Sequence, residues 1–284
     1  MIKPRTQPNR GLRILPSATT VLAICAGLTS IKFALDGRPH IALALIGAAA
    51  VLDGIDGGIA RALHAQSPMG AEIDSLADAV NFGVAPALVT YITLLPSSPI
   101  GWIFVLLYAV CIVLRLARFN TLLDDETRPA YTRQYFVGMP APCGAVGAIG
   151  PLAAMLQFGH GWWTSTWFLC LWLAANAALL VSRIPTLALK SVSVPANAAP
   201  VLLILVAVAA AGLLLFPYIL VLLIIAGYLL IIPFTIRSQR WAAAHPEAWD
   251  DKPRQRRAAR RAARNSEHPH SRSTARLGLR KPGG

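Results

Sequence analysis

Eight long apolar stretches separated by short polar turns set the pattern of this chain: about 16 to 36, 40 to 61, 71 to 95, 99 to 121, 139 to 158, 164 to 182, 199 to 215 and 217 to 236. Each is close to the roughly 20 apolar residues that a helix needs to cross the hydrocarbon of a bilayer. Backbone polar groups cannot stay unpaired there, so continuous helices are the expected solution. The pattern predicts an all-α fold, a polytopic membrane helix bundle. Composition agrees: 55% of the 284 residues are hydrophobic and 14% charged, with a mean hydropathy of +0.55, too apolar for a soluble domain of this size.

The polar connections predict an orientation, because Lys and Arg gather in cytoplasmic loops. Lys3, Arg5, Arg10 and Arg13 precede the first stretch, Arg61 begins the second loop, and Arg115, Arg118, Arg128 and Arg133 mark the fourth. Arg183 and Lys190 mark the sixth. The intervening turns LPSSPI, FGHGWW and Phe216-Pro217 are almost free of basic residues, Arg38 and nearby Lys32 excepted. Both termini are therefore expected in the cytoplasm, with the chain multi-pass in the plasma (inner) membrane. The basic arm and first apolar run read as a signal anchor, since the run is long enough to span and more spans follow.

From Arg237 onward the material changes. Thirteen of the 26 Lys and Arg residues lie there against four acids, which accounts for nine of the thirteen net positive charges. A run such as KPRQRRAARRAAR either attracts anionic headgroups at about 1 kcal/mol per basic residue or forms a solvated, disordered tail. It carries neither the aromatic interleaving nor the fold of a nucleic-acid binder, and no nucleic-acid partner is expected. Cys25, Cys111, Cys143 and Cys170 fall in or beside apolar helices without paired short spacing, and read as packing residues. The six histidines form no ligand pair.

Against this background four carboxylates stand out: Asp53 and Asp56 in VLDGIDGGIAR, and Asp74 and Asp78 in GAEIDSLAD. A charge at bilayer depth costs about 2.5 to 3.5 kcal/mol on insertion scales, so such residues pair, bind ions or take part in chemistry. Residues three or four apart share a helix face, which gives each helix one acidic stripe. The two helices run antiparallel about a turn near His64 to Pro68, and the pairs Asp53/Asp78 and Asp56/Asp74 share a midpoint near residue 65. Asp53 is thus expected to face Asp78, and Asp56 to face Asp74. At ~1.5 Å per residue the first pair lies roughly 12 Å below the helix ends and the second roughly 6 to 8 Å. Four clustered carboxylates need a counter-charge. All-oxygen ligation without Cys or His suits magnesium, calcium or manganese, and two such ions would balance the charge in a phosphoryl-transfer site.

Gly54, Gly57, Gly58 and Ala60 surround the first stripe, and Gly70 and Ala71 precede the second. Small residues serve close helix packing or clear room for a flat ligand. Arg61, at headgroup level, either holds a phosphate or snorkels to the interface.

DGIDGGIAR, eight residues, Gly70, three residues, Asp74, three residues and Asp78 reproduce the signature of the CDP-alcohol phosphatidyltransferases, eight fixed residues over 26 positions. The chain resembles that family from about Leu15 to Leu156. Within it, IDSLADAVNFGVAPA, ARFN at 117 to 120 and VGMPAP at 137 to 142 are most similar to the membrane-embedded phosphatidylserine synthases. Two positions depart from that branch: Asn81 stands where serine is usual, and ILPSATT lacks a Pro-Asn pair before the first helix.

Hydropathy and charge divide the chain into a basic arm (1–15), a six-helix core (16–183), two further transmembrane helices (184–236) and a basic tail (237–284), and the resemblance makes the core the catalytic part. The resemblance implies that a hydroxyl attacks the lipid-side phosphorus of CDP-diacylglycerol and releases CMP. Asp53, Asp56 and Asp74 would be the main ligands of Mg2+ or Mn2+, with Asp78 completing a second metal site and acting as general base toward L-serine. Asp53, Gly57, Ala60, Arg61, Gly70 and Asp74 would contact CDP-diacylglycerol. The serine carboxylate needs a cation, for which Arg115 or Arg118 with Asn120 or Asn81 is the candidate set, although both arginines also suit ordinary cytoplasmic loop ends. Similar enzymes pair as homodimers. Glycerol phosphate or inositol phosphate are the alternative acceptors. A cation transporter is a more distant reading, which the almost wholly apolar LYAVCIVL, LWLAANAALL and VLLILVAVAAAGLLL disfavour.

Overall fold

The computed structural model describes residues 15–62, 68–123, 135–182, 185–187, 207, 211–212 and 215–244. Prolines open several of its helices, since a first-turn residue has no use for a backbone donor and Pro already holds the helical φ. Thus α1 (Leu15–Leu35) is followed by α2 (Pro39–Ala62), α3 (Pro68–Asp78), α4 (Ala85–Leu94) and α5 (Pro99–Leu123). After these come α6 (Ala141–Phe158), α7 (Thr166–Val181) and α8 (Pro217–Ala244). Gly37, with φ 71°, closes α1: its own N–H and that of Arg38 return to the carbonyls of Ala34 and Phe33. Such a left-handed C-terminal cap satisfies the last carbonyls of a helix.

Among the described residues, six helical segments are long and apolar enough to cross a membrane: 18–35, 39–58, 69–94, 99–121, 141–158 and 217–235. The sixth stretch forms a shorter apolar helix, α7, preceded by a single 3-10 turn at Trp162–Thr164. Trp162 stacks edge-on against Phe168 and Trp163, an aromatic cluster of the kind that settles at a bilayer interface. The expected span at 199–215 falls mostly outside the described residues, as do the basic arm before residue 15 and the tail after 244. Residues from Ser238 onward form a separate unit, of which only the end of α8 is described.

Two features depart from the eight-helix pattern. The stretch expected as one helix over 71–95 is interrupted between α3 and α4 by a six-residue π-helical turn, Ala79–Val84. In addition, β1 (Tyr135–Val137) pairs antiparallel with β2 (Pro185–Leu187), tying together the two connections that follow α5 and α7. Both strands are only three residues long, too short to leave a period-two signal.

Small side chains let the helices approach closely, as lipid-embedded bundles require. Ala23, Ala34, Ala42 and Ala49 are all buried on α1 and α2. One core joins the π turn, α4, α5, α6 and α7 around Phe82, Tyr108, Ile112, Leu169, Leu173 and Leu180, and a second links α1, α2, α4 and α6. On one side α1 packs against α2 and α3, and on the other α5 packs against the π turn that follows α3.

Candidate active site

The acidic stripes of α2 and α3 converge. Oxygen atoms from Asp53, Asp56 and Asp74 all lie within 4.8 Å of one another. Asp53 is half-buried, Asp56 buried at 3% exposure and Asp74 exposed, so the cluster runs from the helix interior toward its open side. Asp78 stands beside Asp53, close enough for the two carboxyls to interact. The structure therefore divides the four expected carboxylates into a cluster of three and a fourth attached through Asp53.

The donor arrangement fits a hard cation. Thr20 on α1 donates a 2.7 Å hydrogen bond from Oγ1 to Asp56 Oδ2, which leaves Oδ1 of Asp56 buried with no partner. Oδ1 of Asp78 is likewise buried and unpartnered. Leaving a buried charged acceptor unsatisfied costs several kcal/mol, and an ion bound among these oxygens removes that cost. Oxygen-only ligation is the preference of magnesium, manganese and calcium.

On the opposite flank α5 follows the α3 to α4 segment with a single face. Tyr108 donates from its hydroxyl to the Phe82 carbonyl at 2.8 Å, Ile112 contacts Gly83, and Asn120 Nδ2 donates to Ser75 Oγ at 2.8 Å. Between these contacts lies Arg115, close enough to Asp78 for their charges to interact. Its Nε donates to the Met139 carbonyl at 2.8 Å and its guanidinium sits over the Phe119 ring at 5.7 Å. Arg115 is thus a restrained, half-buried cation at the edge of the carboxylate group.

Arg118 is placed differently. Nη1 donates to the Val181 carbonyl and Nη2 to that of Ser182, each at 3.0 Å, so the guanidinium satisfies the carbonyls at the C-terminal end of α7. That end of a helix carries partial negative charge and attracts cations. Gly138, with φ 85°, passes so near that a Cβ there would lie 2.8 Å from the Leu180 carbonyl oxygen.

Similarity to known proteins points the same way. The family model of the CDP-alcohol phosphatidyltransferases matches residues 13–163. The chain belongs to the CDP-alcohol phosphatidyltransferase family. Its relatives include proteins named CDP-diacylglycerol–serine O-phosphatidyltransferase from Mycobacterium tuberculosis, 62% identical over 99% of this chain and 98% of the relative, and from Mycobacterium leprae, 61% identical over 99% of this chain and 93% of the relative. A Bacillus subtilis protein of the same name is 38% identical over 46% of this chain and 71% of its own length.

As a CDP-alcohol phosphatidyltransferase, the chain has an open strip on α2 among its motif residues. Gly54 and Gly58 have open space where a Cβ would stand, and Gly57 is half-buried between them. Gly70 lies in the first turn of α3, below Asp74. Ala60 and Arg61 belong to the last turn of α2, and their side chains fall outside the described residues. Asn81 is separated from the open strip: fully buried within the π turn, it packs on Gly27 of α1, and neither polar atom of its amide has a partner. Sequence reasoning missed Thr20 and Tyr108, which lie 36 and 26 residues from their partners.

Proposed function

We propose that the protein transfers the phosphatidyl group of CDP-diacylglycerol to the hydroxyl of L-serine, forming phosphatidylserine and releasing CMP. The observation that carries this reading is the convergence of Asp53, Asp56 and Asp74, in a chain aligned over nearly its whole length with relatives bearing that enzyme's name.

The proposed division of roles follows from placement. Asp53, Asp56 and Asp74 hold Mg2+ or Mn2+, and two ions suit the charge of the group. Bound divalent ions supply electrostatic stabilisation to a diphosphate and its departing CMP. The open strip over Gly54, Gly57 and Gly58 receives the flat cytidine, with Ala60, Arg61 and Gly70 at its borders. Asp78, beside the cluster and next to Arg115, accepts the hydroxyl proton of serine as that oxygen bonds to the lipid-side phosphorus and the bond to CMP breaks. Arg115 pairs with the serine carboxylate, while Asn120 steadies the Ser75 turn of α3 from the same face of α5.

The chemistry needs an acyl portion in lipid and a nucleotide in water, so the site belongs at the boundary between them. The positive-inside pattern supports the cytoplasmic side for that boundary, with both termini on the same side, and the inner membrane is the one this reading takes.

Purified protein supplied with CDP-diacylglycerol, magnesium or manganese, and serine, glycerol 3-phosphate, inositol or inositol phosphate in parallel tests the reading. Phosphatidylserine and CMP are the expected products, with serine alone supporting turnover. A different lipid product, formed only with another alcohol, would replace serine as the acceptor.

A further inference from the structure

The π-helical turn between α3 and α4 has a local cause. In a continuous α-helix the Phe82 carbonyl would accept from the backbone N–H of residue 86, but residue 86 is proline and has none. The proline ring also crowds the carbonyl four residues before it. The chain widens instead: Ala79–Val84 form the π turn, and the Ala85 N–H returns to Val80 five residues back. In a bilayer a carbonyl stripped of its partner is costly. The fully buried Tyr108 hydroxyl fills the role, donating to Phe82 O at 2.8 Å.

This turn begins at the residue after Asp78. One extra residue in a helical turn rotates everything before it by about 100° relative to everything after it. The π turn therefore sets the direction in which α3 presents Asp78 once α4 is anchored in the core, and Tyr108 holds the turn. Its neighbours on α5 reinforce the registry. A Cβ on Gly83 would come within 3.0 Å of Ile112 Cγ2, and Arg115, one turn farther along α5, lies near enough to Asp78 for their charges to interact. π bulges recur at functional sites because they re-aim side chains in this way.

Building on Asp78 as the base, we propose that Tyr108 is a positioning residue for the transfer step: by occupying the Phe82 carbonyl that Pro86 leaves without its helical donor, it fixes the π turn that aims the Asp78 carboxylate. The ring itself touches no substrate. Its effect on catalysis is through geometry, where a displacement of about 1 Å can cost 100-fold in rate.

Steady-state kinetics of the full-length protein in detergent, with CDP-diacylglycerol and serine, tests the proposal on three variants. Tyr108→Phe keeps the buried ring and removes only the hydroxyl; kcat is expected to fall at least about tenfold while both KM values stay within about twofold. Thr90→Val is the control, because Thr90 is also fully buried on α4 and donates across helices to the Ala148 carbonyl, beyond the π turn. It is expected to lower the melting temperature and spare kcat. Pro86→Ala restores the missing donor and is expected to lower kcat even with Tyr108 in place. A Tyr108→Phe kcat within about twofold of the parent overturns the proposal, as does an equal fall in Thr90→Val. Should Tyr108→Phe fail to purify, a parent-like kcat in Pro86→Ala overturns it instead. Asp78→Asn separates the two levels: full activity there removes the base and this proposal together, whereas an inactive Asp78→Asn beside an unimpaired Tyr108→Phe removes only the role of Tyr108.

Discussion

Thr20 holds Asp56 by one oxygen and leaves the other to the carboxylate cluster. The 2.7 Å bond crosses from α1 to α2 and satisfies Oδ2, so that Oδ1 is the buried atom with no partner. A hydroxyl that orients a metal-binding carboxylate typically contributes 10- to 100-fold in metal affinity or activity. Thr20→Val, close in shape but unable to donate, is expected to raise the magnesium concentration for half-maximal activity about tenfold. Metal titrations at saturating CDP-diacylglycerol and serine check this, and an unchanged half-maximal concentration would separate Thr20 from the metal site.

The two arginines of α5 should separate in their effects. Arg115 lies near Asp78, whereas Arg118 donates to the Val181 and Ser182 carbonyls that end α7. Truncating a buried cation that pairs with a substrate carboxylate costs about 2 to 5 kcal/mol. Arg115→Ala should therefore raise the KM for serine by more than tenfold and leave binding of CDP-diacylglycerol little altered. Arg118→Ala should chiefly lower thermal stability. Equal serine KM values in both variants would rule out Arg115 as the acceptor's partner.

Gly138 should tolerate no side chain. It combines φ 85° with a close approach to the carbonyls of Leu180 and Ser182, where α7 ends. Gly138→Ala faces both left-handed backbone strain and a contact of 2.8 Å, and a cost of about 1 to 3 kcal/mol is expected from the strain alone. A thermal unfolding scan in detergent checks this. An unshifted midpoint would mean that the connection rearranges freely.

Helix positions and the pairing of the carboxylates were legible because both follow from periodicity. Asp53, Asp56, Asp74 and Asp78 lie symmetrically about one turn, and antiparallel helices bring symmetric positions to one depth. The finer division, three oxygens together and Asp78 attached through Asp53, depends on side-chain directions that spacing does not specify. The π turn was missed for a different reason. Hydropathy treats 71–95 as one apolar run, although Pro86, four residues after Phe82, removes a donor that a regular helix needs. That signal is local and readable once the backbone bonds are counted. Thr20 and Tyr108 left no comparable trace, since a hydroxyl in an apolar helix most often returns to its own backbone, as Thr29 and Thr93 do here.

The carboxylate cluster is most directly tested by removing its cation. Protein stripped with a chelator and assayed for CMP release from CDP-diacylglycerol and serine should be inactive, should recover fully with magnesium or manganese, and should lose at least about 1,000-fold in Asp56→Asn at any metal concentration. Turnover that survives chelation, or an Asp56→Asn variant that works as well as the parent, would contradict the account.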